Sequence, residues 1–299
     1  MRLGSTLYQA TLYVLAPLAV TGVFFHVLWG LVFALLVFPV LPQPGRNRVI
    51  RFWSRVLLLI IGVRLDVRGE AIPPELAATG LIAGSRGRLV VANHISWLDV
   101  YTLDALVPTR FVAKAEIARW PMVGWLVALV GTLFVERGRR HAVHGVNRIV
   151  GDHLQRSETI GVFAEGTTTD GTRLLPFHAN LIQPALDHGA EVRPLAIRFT
   201  QYGRPSLAAS YEGDTNLVQS LWRIVTAPHL VAEVHWLPAV DPTITNRHAA
   251  ARAARAAIAA AIDVRAEPET EGARVRARAQ QAGADEPVQP TPDAETAPW

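Results

Sequence analysis

Residues 89–99 read Leu-Val-Val-Ala-Asn-His-Ile-Ser-Trp-Leu-Asp, and this stretch decides the fold. A short apolar run, typical of a buried strand, is followed by His94 and, five positions later, by Asp99. Five steps along one regular helix rotate a side chain by about 140°, so two helical residues at this spacing would not face each other. The pair can meet only if His94 lies in the loop between a strand and the next helix.

The chemistry of this pair suggests a catalytic role. In open α/β sheets, ligands bind at the loops that follow the carboxyl ends of the strands. A histidine can accept a proton from a hydroxyl at neutral pH, and a carboxylate on its other ring nitrogen fixes the tautomer and stabilises the imidazolium. The stretch therefore predicts His94 as general base and Asp99 as its partner. The spacing is common, however, and taken alone it favours a structural histidine.

Short apolar runs alternate with amphipathic stretches along the middle of the chain. This pattern predicts an α/β fold, with a mostly parallel central sheet flanked by helices. The predicted strands are 65–67, 89–92, 110–113, 132–135, 160–163, 192–199 and 230–235. The predicted helices are 97–106, 122–130, 142–154, 181–188, 216–225 and 247–262.

The N-terminal region predicts a membrane helix. Between residues 11 and 41 the only ionisable side chains are Tyr13 and His26, and the run exceeds the ~20 residues that cross a hydrocarbon core. Pro17 and Gly22 permit either one tilted span or a helical hairpin within one leaflet. The alternative is an apolar helix buried in a soluble core. The expected location is a bacterial inner membrane with the body facing the cytoplasm, because four arginines follow between residues 46 and 55.

The composition divides the chain into three regions and excludes some classes of function. We expect a membrane-anchoring region at 1–63, a catalytic domain at 64–263 and a disordered tail at 264–299, whose removal should leave activity intact. The tail holds four arginines against seven acids, so the rest of the chain is more basic than the formal net charge of +4 indicates. A basic body suits an anionic membrane or an acidic carrier rather than nucleic acid, given its long apolar runs. The absence of cysteine excludes a thiolate nucleophile and cysteine-based metal sites.

Four blocks in order carry a family resemblance. Asn-His-x4-Asp occupies 93–99, Gly-x-x-Phe-x-x-Arg occupies 131–137, Phe-Ala-Glu-Gly-Thr-Thr occupies 163–168, and an apolar block centred on a proline occupies 192–197. The chain from about 65 to 240 thereby resembles the glycerolipid acyltransferases typified by 1-acylglycerol-3-phosphate acyltransferase, the PlsC type.

The resemblance implies a mechanism and a set of site residues. In such enzymes the histidine, here His94, deprotonates the acceptor hydroxyl, which attacks an acyl thioester of coenzyme A or acyl carrier protein. The aspartate, here Asp99, orients the histidine. No cofactor or metal is implied beyond that co-substrate. The acceptor's phosphate lies against the second and third blocks, which implies as binding residues Arg137, Glu165, Gly166 and Thr167. Because Glu165 is an anion, we expect it to orient Arg137 or to accept from a glycerol hydroxyl rather than to bind the phosphate.

The third block departs from the family pattern at Thr168, where arginine is usual, and at Ala164, where proline is usual. Arg173 lies nearby on the same loop. The Glu-Gly-Thr-Thr variant resembles acyltransferases of other lysolipids, including lyso-ornithine lipid. We expect an enzyme of phospholipid biosynthesis that converts 1-acyl-sn-glycerol-3-phosphate to phosphatidate. The alternatives are an acyltransferase for another lysolipid, either lyso-ornithine lipid or a lysophospholipid, and a catalytically silent membrane lipid-binding protein.

Overall fold

The computed structural model describes residues 2–120, 123–135 and 140–268. The strands are β1 Arg64–Gly69, β2 Arg88–Ala92, β3 Arg110–Lys114, β4 Leu133–Val135, β5 Thr159–Phe163, β6 Arg173–Leu174, β7 Glu191–Gln201, β8 Arg204–Pro205, β9 Leu230–Trp236 and β10 Arg265–Ala266. The helices are α1 Arg2–Val37, α2 Gln43–Ile60, α3 Pro74–Thr79, α4 Leu98–Leu106, α5 Val123–Leu129, α6 Arg140–Gln155, α7 Gln183–Asp187, α8 Leu217–Val225 and α9 Arg247–Ile262.

The main sheet has the strand order β1-β9-β7-β2-β5-β3-β4, and β8 pairs with the end of β7. β2 runs parallel to both of its neighbours, β5 and β7, whereas β7 and β9 are antiparallel. The predicted α/β fold with a mostly parallel sheet is therefore confirmed. Every predicted strand is present. The sequence did not predict β6, β8 and β10, because two residues are too short to leave a periodic pattern.

β2 lies at the centre of two apolar layers, which explains its continuous apolar sequence. Leu89 and Val91 belong to a core cluster shared with α6, α7 and α9. Val90 and Ala92 belong to the opposite cluster, shared with α2, α4 and α8. Strands covered by helices on both faces need apolar side chains at every position rather than at alternate ones. The carboxyl end of β2 is therefore held rigidly in the middle of the sheet.

α1 is a single helix of 36 residues that Pro17 does not interrupt. The carbonyl oxygen of Pro17 accepts the hydroxyl of Thr21 at 2.8 Å. Gln9, near the start of α1, donates to the carbonyl of Thr226, and Ala34, near its end, is buried in a cluster with Leu126 of α5. α1 therefore follows the body along most of its length, and among the described residues it is the helix long and apolar enough to cross a membrane.

The ordered body extends beyond Asp263, where sequence analysis ends the catalytic domain. β10 pairs in parallel with β6 through Arg265 and Ala266. Val264 packs against the second core cluster, and the N–H of Glu267 donates to the carbonyl of Leu174 at 3.0 Å. The first residues of the predicted tail thus form part of the fold, since their backbone is paired.

A pair of glycines on α1 tests its packing against α2. A Cβ added at Gly30 would lie 2.6 Å from Nε1 of Trp53, whereas one at Gly22 would lie 3.3 Å from a methyl group of Ile60. Alanine favours an exposed helix by about 1 kcal/mol over glycine. We nevertheless expect G30A to lower the midpoint of thermal unfolding in detergent, while G22A leaves it unchanged or raises it. A G30A protein as stable as G22A would show that the α1–α2 contact is loose.

Candidate active site

His94 and Asp99 meet at the carboxyl end of β2. His94 lies in the loop that follows the strand, and Asp99 lies in the first turn of α4. The Nδ1 atom of His94 is 2.8 Å from Oδ2 of Asp99. The same Oδ2 accepts the backbone N–H groups of Ile95 at 2.7 Å and Ser96 at 2.8 Å. The structure thus has the loop geometry that the five-residue spacing requires.

The two side chains differ in exposure. Asp99 has none of its side chain accessible, whereas His94 keeps 20% accessible. Within the described part of the chain, Nδ1 is the ring atom of His94 that carries a hydrogen bond. Nε2 is therefore the nitrogen that can take a proton from a bound molecule.

Asn93 fastens the start of this loop to β7. Its side-chain Nδ2 donates to the carbonyl of Ile197 at 2.9 Å, and its Oδ1 accepts the N–H of the same residue at 2.8 Å. The side chain is buried, so both polar atoms need these partners. Asn93 therefore sets where His94 begins its turn away from the sheet.

A stack of aromatic rings lies beneath the imidazole. The rings of His94 and Phe163 have centroids 3.9 Å apart and are inclined by 11°. Phe163 in turn stacks on Phe111, with centroids 5.6 Å apart and an angle of 6°. Sequence analysis assigned Phe163 to the third block without a role. Its position at the end of β5, beside the end of β2 in the sheet, is the signal that could have placed it next to the histidine.

Glu165 lies beneath the loops and not on the exposed side of the site. Its side chain is fully buried. Oε1 accepts the N–H of His94 at 2.8 Å, and Oε2 accepts the N–H of Leu175 at 2.9 Å. Glu165 was expected to orient Arg137 or to meet the acceptor, and in the structure its two oxygens accept backbone N–H groups from two loops. Sequence reasoning could not detect it, since both partners are backbone groups brought together by folding.

Burial raises the pKa of Glu165 to about 8. The N–H groups of Leu175 and His94 act in the opposite direction, Asp99 raises the pKa further, and the positive charge of Arg255 lowers it. The desolvation of the carboxylate outweighs the two hydrogen bonds. Glu165 is therefore a titratable group buried directly beneath the backbone of His94.

The rest of the third block turns sharply and joins two loops. Gly166 has a φ of +76°, a conformation that favours glycine. The N–H of Thr169 donates to the carbonyl of His94 at 2.9 Å, and the hydroxyl of Thr168 donates to the carbonyl of Tyr211. Thr167 is half-buried beside them. The loops that follow β2 and β5, together with the segment near Tyr211, therefore form one connected unit.

Two arginines were expected near the acceptor, and the structure describes one of them. Arg137 lies outside the described residues. Arg173 lies on β6, 3.2 Å from a carboxylate oxygen of Glu212 and 3.8 Å from one of Glu267. Among the described residues, no cluster of three or more histidines and acids is arranged to hold a metal ion.

Comparisons with known proteins agree with this architecture. The family model described as Acyltransferase matches residues 64–198. The chain is 36% identical over 198 residues to a 1-acyl-sn-glycerol-3-phosphate acyltransferase of Neisseria meningitidis, covering 66% of this chain and 73% of that protein. It is 33% identical over 219 residues to a lyso-ornithine lipid O-acyltransferase of Pseudomonas aeruginosa, covering 73% of this chain and 80% of that protein.

A solved structure has the same fold. The crystal structure of the 1-acyl-sn-glycerophosphate acyltransferase PlsC from Thermotoga maritima superposes with a TM-score of 0.55 at 19% identity. The superposition covers 88% of this chain and 96% of that one. The fold and the matched sequence define an acyltransferase. The chain belongs to the PlsC-type acyltransferase family.

The raised pKa of Glu165 predicts a pH dependence of stability. Between pH 4.5, the ordinary value, and about 8, the folded chain holds a proton on Glu165 that the unfolded chain releases. The stabilisation is complete below the unfolded pKa and is lost as the pH rises towards 8. We expect the free energy of unfolding, measured in urea, to fall across this range. E165Q cannot titrate and should lack this component, so parallel curves for the two proteins would contradict the assignment.

Proposed function

We propose that this acyltransferase moves a fatty acyl group from a thioester to the free hydroxyl of a lysolipid, with His94 as general base. The observation that carries the proposal is the contact of 2.8 Å between Nδ1 of His94 and Oδ2 of Asp99. Because this contact uses Nδ1, the second ring nitrogen, Nε2, can take the proton of the acceptor. The relatives named for 1-acyl-sn-glycerol-3-phosphate and for lyso-ornithine lipid both support a lysolipid acceptor.

The reaction follows from this arrangement. Nε2 of His94 takes the proton of the acceptor hydroxyl as its oxygen attacks the thioester carbonyl carbon. The tetrahedral intermediate then expels the sulfur, the C–S bond breaks, and the imidazolium returns the proton to the departing thiolate. The products are the ester and the free thiol of coenzyme A or of acyl carrier protein. The enzyme itself forms no covalent bond.

Asp99 prepares the imidazole for this step. Its Oδ2 accepts three N–H groups, those of the His94 ring, Ile95 and Ser96. The ring proton is thereby held on Nδ1, so Nε2 carries the lone pair. The carboxylate also stabilises the imidazolium formed in the transition state. Phe163, stacked at 3.9 Å, adds the attraction of its π face for that cation.

Two acceptor head groups are candidates. We retain 1-acyl-sn-glycerol-3-phosphate as the first, with phosphatidate as the product. Lyso-ornithine lipid is the second, and the residue that favours it is Thr168, whose hydroxyl donates to the carbonyl of Tyr211. Arg173, which could replace the usual arginine, is paired with Glu212. Arg137 remains the proposed phosphate ligand, because a guanidinium binds phosphate oxygens in pairs.

Glu165, Gly166 and Thr167 then have different proposed tasks. Gly166 lets the backbone approach the acceptor, and the hydroxyl of Thr167 donates to it. Glu165 acts from below, since both of its oxygens accept backbone N–H groups. We propose it as a positioning residue for His94 rather than as an acceptor ligand.

We propose that α1 rests in the bilayer that holds the acceptor. Within Gln9–Val40, an 18-residue window has a mean hydropathy of 2.4, and only 22% of that window is buried in the protein. Trp29 and Phe25 are among its exposed side chains. The four arginines between residues 46 and 55 would face the cytoplasmic surface of a bacterial inner membrane, where anionic lipids and the acyl thioester meet.

Replacement of His94 tests the mechanism. We expect H94A to lower kcat by about a thousandfold or more, because general base catalysis contributes 10²–10⁴, while binding to liposomes persists. H153A is the matched control, since His153 also lies beside an acid, with Nδ1 3.1 Å from Glu158. Unchanged turnover by H94A, measured by mass spectrometry of the product lipid, would remove His94 from the mechanism.

The acceptor is tested with a panel of lysolipids, each offered with acyl-coenzyme A and with acyl-acyl carrier protein. We expect T168R to lower KM for 1-acyl-sn-glycerol-3-phosphate about tenfold, since a charged hydrogen bond contributes 1.5–3 kcal/mol. T168V loses the bond to Tyr211 without adding charge and serves as the control. If T168R leaves the ratio of the KM values for the different acceptors unchanged, residue 168 does not take part in head-group recognition. Failure of every lysolipid with the wild-type protein would overturn the proposed function.

A further inference from the structure

Arg255 is a buried cation far along the chain from the four blocks. It lies on α9, beyond residues 64–198 that match the family model, and only 7% of it is exposed. Its Nε donates to the carbonyl of Leu175 at 2.8 Å. Its Nη2 donates to the carbonyl of Leu174 at 2.5 Å and to that of Glu267 at 2.6 Å. The guanidinium therefore binds the backbone of two separate segments.

The first of these segments leads directly to His94. The N–H of Leu175, whose carbonyl accepts from Arg255, donates to Oε2 of Glu165 at 2.9 Å. The other oxygen of Glu165 accepts the N–H of His94 at 2.8 Å. The backbone of Leu175 and the carboxyl group of Glu165 thus link Arg255 to the proposed general base.

The second segment is the end of the described chain. Residues 264–268 leave α9 and lie beside β6, with β10 paired in parallel to it. The N–H of Glu267 donates to the carbonyl of Leu174, and its carboxylate lies 3.8 Å from Nε of Arg173. This segment therefore covers the side of β6 and brings the Glu267 carbonyl to Arg255.

We propose that Arg255 and residues 264–268 form a C-terminal clamp that positions the Leu175–Glu165–His94 path for acyl transfer. The inference rests on the proposed function, because it assigns the clamp a task in placing the proposed general base. It makes Arg255 a positioning residue, since the clamp acts on His94 through Leu175 and Glu165, by hydrogen bonds and by the charge of Arg255 near Glu165.

Burial of the Arg255 charge is costly, and this cost indicates a role beyond packing. A buried guanidinium loses its hydration and is tolerated only where polar groups replace the water. Other buried positions on the same face of α9 are alanine and isoleucine, such as Ala254 and Ile258. Aliphatic residues of this kind are sufficient to pack α9 against the core. The arginine instead donates to three carbonyl oxygens, which no aliphatic side chain can do.

Substitutions of Arg255 separate positioning from stability. We expect R255Q to lower kcat about tenfold or more, because small misplacement of a reacting group has large effects, with KM for both substrates nearly unchanged. R255K keeps the charge and should recover part of the loss. R252Q is the matched control, because Arg252 is exposed on the same helix. The kcat values are compared per folded molecule, at a temperature well below the midpoint of thermal unfolding of each variant.

A pair of truncations tests the second half of the clamp. A chain ending at residue 268 keeps β10 and Glu267, and we expect wild-type kcat. A chain ending at residue 263 keeps α9 and Arg255 but removes the paired segment, and we expect kcat to fall with little change in KM. This revises the expectation that the whole tail from 264 to 299 can be removed without effect.

The outcomes are distinct. Wild-type kcat per folded molecule in R255Q, or in the chain ending at 263, would overturn the clamp and leave Arg255 a structural residue. If R255Q fails to fold, kcat per folded molecule of the two truncated chains and of R255K tests the clamp in its place. The assays use a lysolipid that the wild-type enzyme converts, so failure of the clamp leaves the proposed function intact. A wild-type protein without activity on any lysolipid would instead overturn that function.

Discussion

The site depends on the hydrogen bonds that the buried carboxylate oxygen Oδ2 of Asp99 accepts. One atom accepts the ring N–H of His94 and the backbone N–H groups of Ile95 and Ser96. It therefore shapes the loop and orients the imidazole at the same time. Since Asp99 is fully buried on the first turn of α4, its position is fixed by the same helix that packs against the sheet.

A second buried carboxyl group, that of Glu165, connects this loop to the rest of the protein. It holds the N–H of His94 from one side and that of Leu175 from the other, so the ends of two central strands become one unit. Asn93 fixes the same loop to β7 with a pair of hydrogen bonds. The position of the imidazole is thus set by backbone contacts from three directions. Rigid support of this kind is what precise placement of a reacting group requires.

The sequence predicted the parts of this site that depend on local pattern. The apolar run before His94 predicted a strand, and the spacing to Asp99 required His94 to lie in the loop after that strand; both features are present. The burial of Glu165 could not be predicted, because its partners are backbone groups 71 and 10 residues away. Arg255 was equally hidden, since it lies in an alanine-rich helix without a motif. The fold was easier to predict because strand and helix periodicities repeat along the chain.

The aromatic stack imposes a stereochemical limit on the substrate. Phe163 covers one face of the His94 ring at 11°, and the lone pair of Nε2 lies in the plane of that ring. An incoming alcohol must therefore approach edge-on, nearly parallel to the surface of the phenyl ring. Under the proposed function, this planar restriction limits how a lysolipid hydroxyl can reach Nε2, before any head group is recognised.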